Sequence, residues 1–149
     1  MRGRLHNRLP RSHRRTIYML TAILFATGAL WLIAVYLAAP PGAPTPAPHE
    51  WGGALLAIHG CAAYAALIAY GLVGHAHLRT GWRVPALRSA ATWLGAMIVL
   101  LAGTGLGMYY VATESAIPVL RWTHVAAGVL LPCWLALHIV RGRRYAARH

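Results

Sequence analysis

Four long apolar runs alternate with short polar or basic segments along the chain. A helix needs about 20 apolar residues to cross the hydrocarbon core of a bilayer, and each run reaches that length. The short connections make neighbouring helices antiparallel. The pattern therefore predicts an all-α membrane protein, an up-down four-helix transmembrane bundle over residues 17–140, with spans at about 17–39, 51–75, 89–113 and 119–140.

The composition supports a membrane protein and excludes several other classes. Hydrophobic residues make up 58% of the 149 residues and charged residues only 11%. This balance is unlike that of a disordered chain, a coiled coil or an ordinary soluble enzyme. Glu50 and Glu114 are the only acidic residues, which argues against hydrolysis by paired carboxylates. The basic residues form short clusters between apolar runs, an arrangement that indicates a bilayer and not a nucleic acid.

The positions of the arginines predict the direction of the spans. Residues 40–50, a proline-rich linker, and the short connection before Pro118 contain no Lys or Arg. By the positive-inside rule, the basic segments 1–16 and 141–149 are then cytoplasmic and the linker is external. The first run exceeds the roughly 7 to 15 residues of a signal-peptide core, so we expect a retained signal anchor. Thirteen of the 14 arginines fit this topology: Arg2, Arg4, Arg8, Arg11, Arg14, Arg15, Arg79, Arg83, Arg88, Arg141, Arg143, Arg144 and Arg148.

Histidines inside apolar spans are the strongest functional signal, because ionisable groups are costly in a membrane. His124 and His138 are 14 residues apart in span four and share a face at depths about 21 Å apart. In span two, His77 is in phase with His59, whereas His75 is about 160° away from it. His77 is therefore preferred as the inner residue, with His75 as the alternative. Packing histidines, or histidines reaching the headgroups, would also explain these positions.

Two histidines on each of two helices that run in the same direction suggest axial ligands for two stacked haems. His59 and His124 would bind the outer haem, and His77 and His138 the inner one. A kink at Pro132 would reduce the mismatch in spacing between the two helices. Small residues beside the histidines would leave room for a porphyrin, although they also suit bare helix packing: Ala62, Ala63, Ala66 and Gly74 in span two and Gly128 in span four. The glycines of span three, Gly103, Gly105 and Gly107, are expected to serve close packing or a flexible bend.

The chain resembles four-helix membrane b-type cytochromes over about residues 50–144. The residues that carry the resemblance are Arg121-Trp122-Thr123-His124, Gly128, Leu137-His138, Arg141-Gly142-Arg143-Arg144, Ile58-His59-Gly60 and His77-Leu78-Arg79-Thr80-Gly81-Trp82. The resemblance implies a multi-pass protein of the bacterial inner membrane with two non-covalent haem b groups. It implies His59, His77, His124 and His138 as ligands, and exchange of electrons with quinone or a partner redox protein. Several such families take a ligand from the first span, which contains no histidine here.

Two further observations complete the prediction. Arg121 violates the positive-inside pattern and lies one turn from His124, so we expect it to bind a haem propionate; contact with lipid headgroups is the alternative. Cys61 and Cys133 belong to no CxxCH pattern, which argues against covalent haem attachment, and are expected as small buried residues.

No catalytic acid or base stands out, so an electron-transfer subunit is favoured over an independent enzyme. A non-haem scaffold or assembly protein, and a small transporter, are the competing functions.

Overall fold

Each of the four predicted spans corresponds to a helix in the structure. A computed structural model describes residues 10–36, 51–81, 85–111 and 113–148. Within these ranges the chain forms four helices and no strand: α1 (Arg11–Tyr36), α2 (Gly52–Gly81), α3 (Pro85–Tyr110) and α4 (Ile117–Arg148). All four are long and apolar enough to cross a membrane. The all-α class and the multi-pass character are therefore confirmed, whereas the side on which the termini lie stays a prediction.

The helices extend beyond the apolar runs into the basic segments. α1 begins at Arg11, ahead of the predicted start at residue 17, and α4 continues to Arg148, beyond the predicted end at residue 140. Arginine is a good helix former, so a helix has no reason to stop where the hydrocarbon does. At the end of α3 the prediction is too long, because the helix stops at Tyr110 and not at residue 113. The predicted linker 40–50 lies outside the described residues.

The prolines of α4 occupy two different positions. Pro118 is in the first turn, where its missing N–H costs no helical hydrogen bond. The turn before it is closed by the backbone N–H groups of Ala116 and Ile117, which donate to the carbonyl of Thr113 over 2.9 and 3.1 Å. Pro132 lies inside the helix, which continues through it to Arg148.

The helices α1 and α2 form an antiparallel hairpin in the first of two compact units, residues 1–77. The Thr21 hydroxyl is 2.7 Å from the Tyr70 hydroxyl, and Thr27 Oγ1 is 2.9 Å from His59 Nδ1. A later position in α1 therefore contacts an earlier position in α2, as antiparallel helices require. We call this pair of helices the first hairpin.

The helices α3 and α4 form the second hairpin, in the unit that spans residues 78–149. The Trp134 indole donates a hydrogen bond of 3.1 Å to the carbonyl of Ala90, and Thr104 Oγ1 is 2.9 Å from His124 Nδ1. These contacts again join later positions of one helix to earlier positions of the next. Trp134 also packs edge-on against Trp93, with ring centroids 6.3 Å apart. Each hairpin thus has its own hydrogen bonds between its two helices.

Small residues of α2 serve the packing of helices. Ala62 and Ala66 are buried. They lie between His59 and Tyr70 on one helical face, and both of those residues bond to α1. Because the face with these alanines turns toward α1, their small size lets the two helices approach closely. Of the two explanations open for these alanines, helix packing is the one that their burial supports.

The outward faces of the helices are apolar. Tyr64, Ile68 and Leu72 of α2 and Val99 of α3 are among the large side chains that are more than half exposed. Such faces fit contact with the acyl chains of a bilayer.

Cys61 and Cys133 are exposed as well, so the expectation that they are buried was wrong. Cys61 follows His59 by two residues, and Cys133 follows His124 by nine. Either separation rotates a residue by about 180° around the helix, so each cysteine lies on the side opposite the histidine.

Candidate histidine sites

The His59 ring lies between α1 and α2, against a threonine and a glycine that are neighbours in the sequence. His59 Nδ1 is 2.9 Å from Oγ1 of Thr27, which is buried. A Cβ atom placed on Gly28 would be 3.3 Å from His59 Cε1 and 3.6 Å from Nδ1. The lack of a side chain at Gly28 therefore creates the space in which the half-buried ring lies. Thr27 forms a hydrogen bond with one edge of the ring, and Gly28 leaves space for the ring.

The same arrangement recurs in the second hairpin. His124 Nδ1 is 2.9 Å from Oγ1 of the buried Thr104. A Cβ atom placed on Gly105 would be 3.5 Å from His124 Cε1 and 3.9 Å from Nδ1. Gly107, two residues nearer the end of α3, approaches Leu120 in the same way, with a Cβ placed there 3.3 Å from the Leu120 side chain. Close packing, one of the two roles expected for the span-three glycines, is confirmed for Gly105 and Gly107.

The two sites match in position as well as in contacts. His59 lies seven residues after the start of α2, and His124 lies seven residues after the start of α4. Each histidine contacts a Thr-Gly pair in the second half of the preceding helix. Three and seven residues after each histidine, the helix is buried in both hairpins: at Ala62 and Ala66 in α2, and at Ala127 and Leu131 in α4. The two hairpins thus carry one structural pattern twice.

The hydrogen bonds of each threonine assign the proton on the histidine ring. Thr27 Oγ1 donates to the carbonyl of Ile23 over 2.7 Å, with the Leu24 carbonyl at 3.2 Å. A hydroxyl has one proton, so Thr27 Oγ1 accepts from His59, and Nδ1 is the protonated nitrogen. The Thr104 hydroxyl donates to the Leu100 carbonyl over 2.7 Å, which gives His124 the same assignment. In a neutral ring of this tautomer, the lone pair lies on Nε2.

The remaining predicted residues are placed in part. His138 is half-buried on α4, one turn beyond Trp134 and on the face of α4 that packs against α3. Arg121 is half-buried one turn before His124. His75 and His77 are on α2, and their side chains lie outside the described part of the structure. The predicted pairs, His59 with His124 and His77 with His138, join residues of different units and stay predictions.

Thr27 and Thr104 are the site residues that the sequence prediction missed. Their signal was present: a threonine followed by glycine occurs inside the first and the third apolar run. A hydroxyl inside a membrane helix usually bonds to a carbonyl of the preceding turn and can accept a second bond from a neighbouring helix. A histidine on the following helix is a suitable donor for that second bond.

Neither a metal cluster among the described residues nor a known relative points to a function. Within the described ranges, no group of three or more His, Cys, Asp or Glu residues lies close enough to hold a metal ion. Comparison with models of protein families, with curated proteins and with solved structures gives no match. The function must therefore be argued from the two histidine sites themselves.

Proposed function

We propose that the protein is a membrane b-type cytochrome that carries electrons across the bilayer through two bis-histidine haems. The observation that carries this proposal is the repeated histidine site. Two apolar helices each hold a histidine in a space made by a glycine, with Nδ1 bonded to a threonine. A histidine that only packs needs a hydrogen bond, but it does not need the same tautomer in the same position of two hairpins.

The residues fit haem iron in their chemistry. A neutral imidazole binds iron through one nitrogen, while the other donates a hydrogen bond that fixes the orientation of the ring. His59 and His124 have that division between Nε2 and Nδ1. When bound, a haem with two histidine ligands supplies a one-electron carrier with no open position for oxygen. The chain's own part is to hold the imidazoles, to exclude water with its apolar helices and to neutralise carboxylates.

The arrangement proposed for the ligands follows from the sequence. The helices α2 and α4 run in the same direction in the predicted topology, so His59 and His124 would share the outer haem. His138 would share the inner haem with His77, or with His75 if α2 bends. Arg121, one turn toward the outer end from His124, would pair with a propionate of the outer haem. Quinone, or a partner redox protein in the same membrane, would exchange electrons at one face.

Haem content is the direct test of this proposal. We expect two non-covalent haems of b type per chain in protein purified in detergent from haem-replete cells. Pyridine haemochrome analysis measures both their number and their type, and acid-acetone extraction checks that they are not covalent. A colourless protein, with the helical content intact by circular dichroism, would favour the scaffold function and end the cytochrome proposal.

The direction of the helices is a separate prediction. Thirteen arginines are assigned to the cytoplasmic side. Reporter fusions after His149 should therefore show a cytoplasmic location. A reporter inserted in the proline-rich linker 40–50 should be active only outside. The matched control is an insertion near residue 82, between α2 and α3, which should behave like the C-terminal fusion. External activity at the C-terminus would reverse the inner and outer haem positions and leave the haem content unaffected.

A further inference from the structure

We infer that Thr27 and Thr104 are positioning residues that fix the tautomer of His59 and His124 and so direct Nε2 to the metal. The tautomer is argued from hydrogen bonds alone, and the role toward iron rests on the proposed function. Neither threonine would touch the cofactor's iron. Each would act through its histidine, from the preceding helix of the same hairpin.

The threonine hydroxyl has a fixed direction in both hairpins. In α1, Thr27 Oγ1 donates to the Ile23 carbonyl over 2.7 Å, and the Leu24 carbonyl lies 3.2 Å from the same oxygen. In α3, the carbonyls of Leu100 and Leu101 lie at the same two distances from Thr104 Oγ1. Carbonyl oxygens only accept hydrogen bonds, so the hydroxyl proton is committed to the helix backbone.

Beside this hydroxyl, the histidine ring has one favourable tautomer. A lone pair of the threonine oxygen is directed at Nδ1, 2.9 Å away in both hairpins. A ring with its proton on Nε2 would place a second lone pair against that oxygen, which belongs to a buried threonine in both hairpins, and the two lone pairs would repel each other. The chain from Nδ1–H through the hydroxyl to the backbone carbonyl therefore selects the tautomer in which Nε2 is unprotonated.

The hydrogen bond at Nδ1 affects how strongly Nε2 binds a metal. Donation from Nδ1 makes the imidazole a stronger electron donor at Nε2, and outer hydrogen-bond partners of this kind typically change metal affinity by about 10-fold to 100-fold. Stronger donation favours the oxidised iron, so the bond should lower the midpoint potential of the haem concerned. Loss of the bond should then raise that potential and weaken haem retention.

The test compares three threonine-to-valine variants in the full chain. T27V and T104V remove the acceptor but keep the shape of the side chain. T21V is the matched control: Thr21 makes the same backbone bond, to Ile17 at 2.8 Å, and the same type of contact to α2, but its partner is Tyr70. The readout is ¹⁵N NMR of protein labelled at histidine, in detergent and under reducing conditions.

Among the ring signals of the nine histidines, we expect those of His59 and His124 in the unmodified chain to show a protonated Nδ1 and an unprotonated Nε2. T27V should change one of them, T104V the other and T21V neither. The serine variants T27S and T104S, which retain the hydroxyl, should restore the original signals. Protonated Nε2 atoms in the unmodified chain, or unchanged signals in both valine variants, would overturn the positioning role.

A second readout separates this inference from the proposed function. In haem-containing protein, T27V and T104V should lose haem about tenfold faster to an acceptor protein than T21V, and the haem that remains should have a higher midpoint potential. Haem loss and potentials identical to those of T21V would overturn the role toward iron. If the chain holds no haem but the NMR result is as expected, the cytochrome proposal fails and the assignment of the tautomer stands.

Discussion

Replacement of His124 by alanine is expected to reduce the haem content from two to one per chain. The same loss is expected from His59→Ala, because both residues are proposed as ligands of one haem. Each histidine is held by its own hairpin, so alanine at one site leaves the opposite threonine and histidine in place. Iron with one remaining protein ligand would bind weakly, whereas the inner haem, about 20 Å further along the helices, keeps both of its ligands.

The measurement is a pyridine haemochrome assay combined with a redox titration of each variant. The midpoint potential that is missing from the titration should be the same one in both variants. The double variant should lose no more haem than either single variant. His13→Ala is the matched control, since His13 lies at the exposed start of α1 and should leave both haems bound. Loss of different haems from the two single variants would refute the pairing of His59 with His124.

Leucine at Gly28 or Gly105 is expected to displace the histidine ring and to destabilise its hairpin. The Cβ atom alone would lie 3.3 Å from the His59 ring in one case and 3.5 Å from the His124 ring in the other. A leucine extends beyond Cβ into the volume that the ring occupies, so the ring must move away from its threonine. Forcing extra atoms into a packed contact costs about 1 to 3 kcal/mol, and the hydrogen bond is lost in addition.

The effect can be measured as a lower midpoint of unfolding in detergent mixtures and as loss of one haem. Gly103→Leu is the control for Gly105→Leu, and Gly60→Leu is the control for Gly28→Leu, because a Cβ at either control position meets nothing within 4 Å. In a His59→Ala background, Gly28→Leu should be much less costly, since the ring is no longer there. An equal cost in both backgrounds would mean that Gly28 does not create the space for His59.

The number and order of the helices could be predicted from the sequence because they depend on the length and spacing of the apolar runs. The ends of the helices could not. Hydropathy marks the part of a helix that suits hydrocarbon, whereas the helix itself ends where its backbone stops being hydrogen-bonded. The basic residues at the start of α1 and the end of α4 are good helix formers, so both helices continue through them.

The histidine sites could be predicted only in part, for a related reason. A histidine in an apolar span stands out by its cost in a membrane, which singled out His59 and His124. Thr27 and Thr104 do not stand out, because threonine satisfies its own hydroxyl within a helix and is common in membrane spans. Their role depends on which helix packs against which, and at what level. The glycine string of span three indicated close packing but not that a histidine was the partner.

The internal hydrogen bonding of each hairpin bears on how the protein enters its membrane. A lone span with an unpaired imidazole would be costly to transfer from the insertion machinery into lipid. In the first hairpin, the imidazole of His59 and the phenol of Tyr70 both bond to α1, the helix synthesised before them. Two helices that leave the ribosome in succession can therefore mask these groups mutually and partition as a pair, before the second hairpin is made. Biogenesis in two steps of two helices is the expected order, and the proposed haems would be captured after the second step.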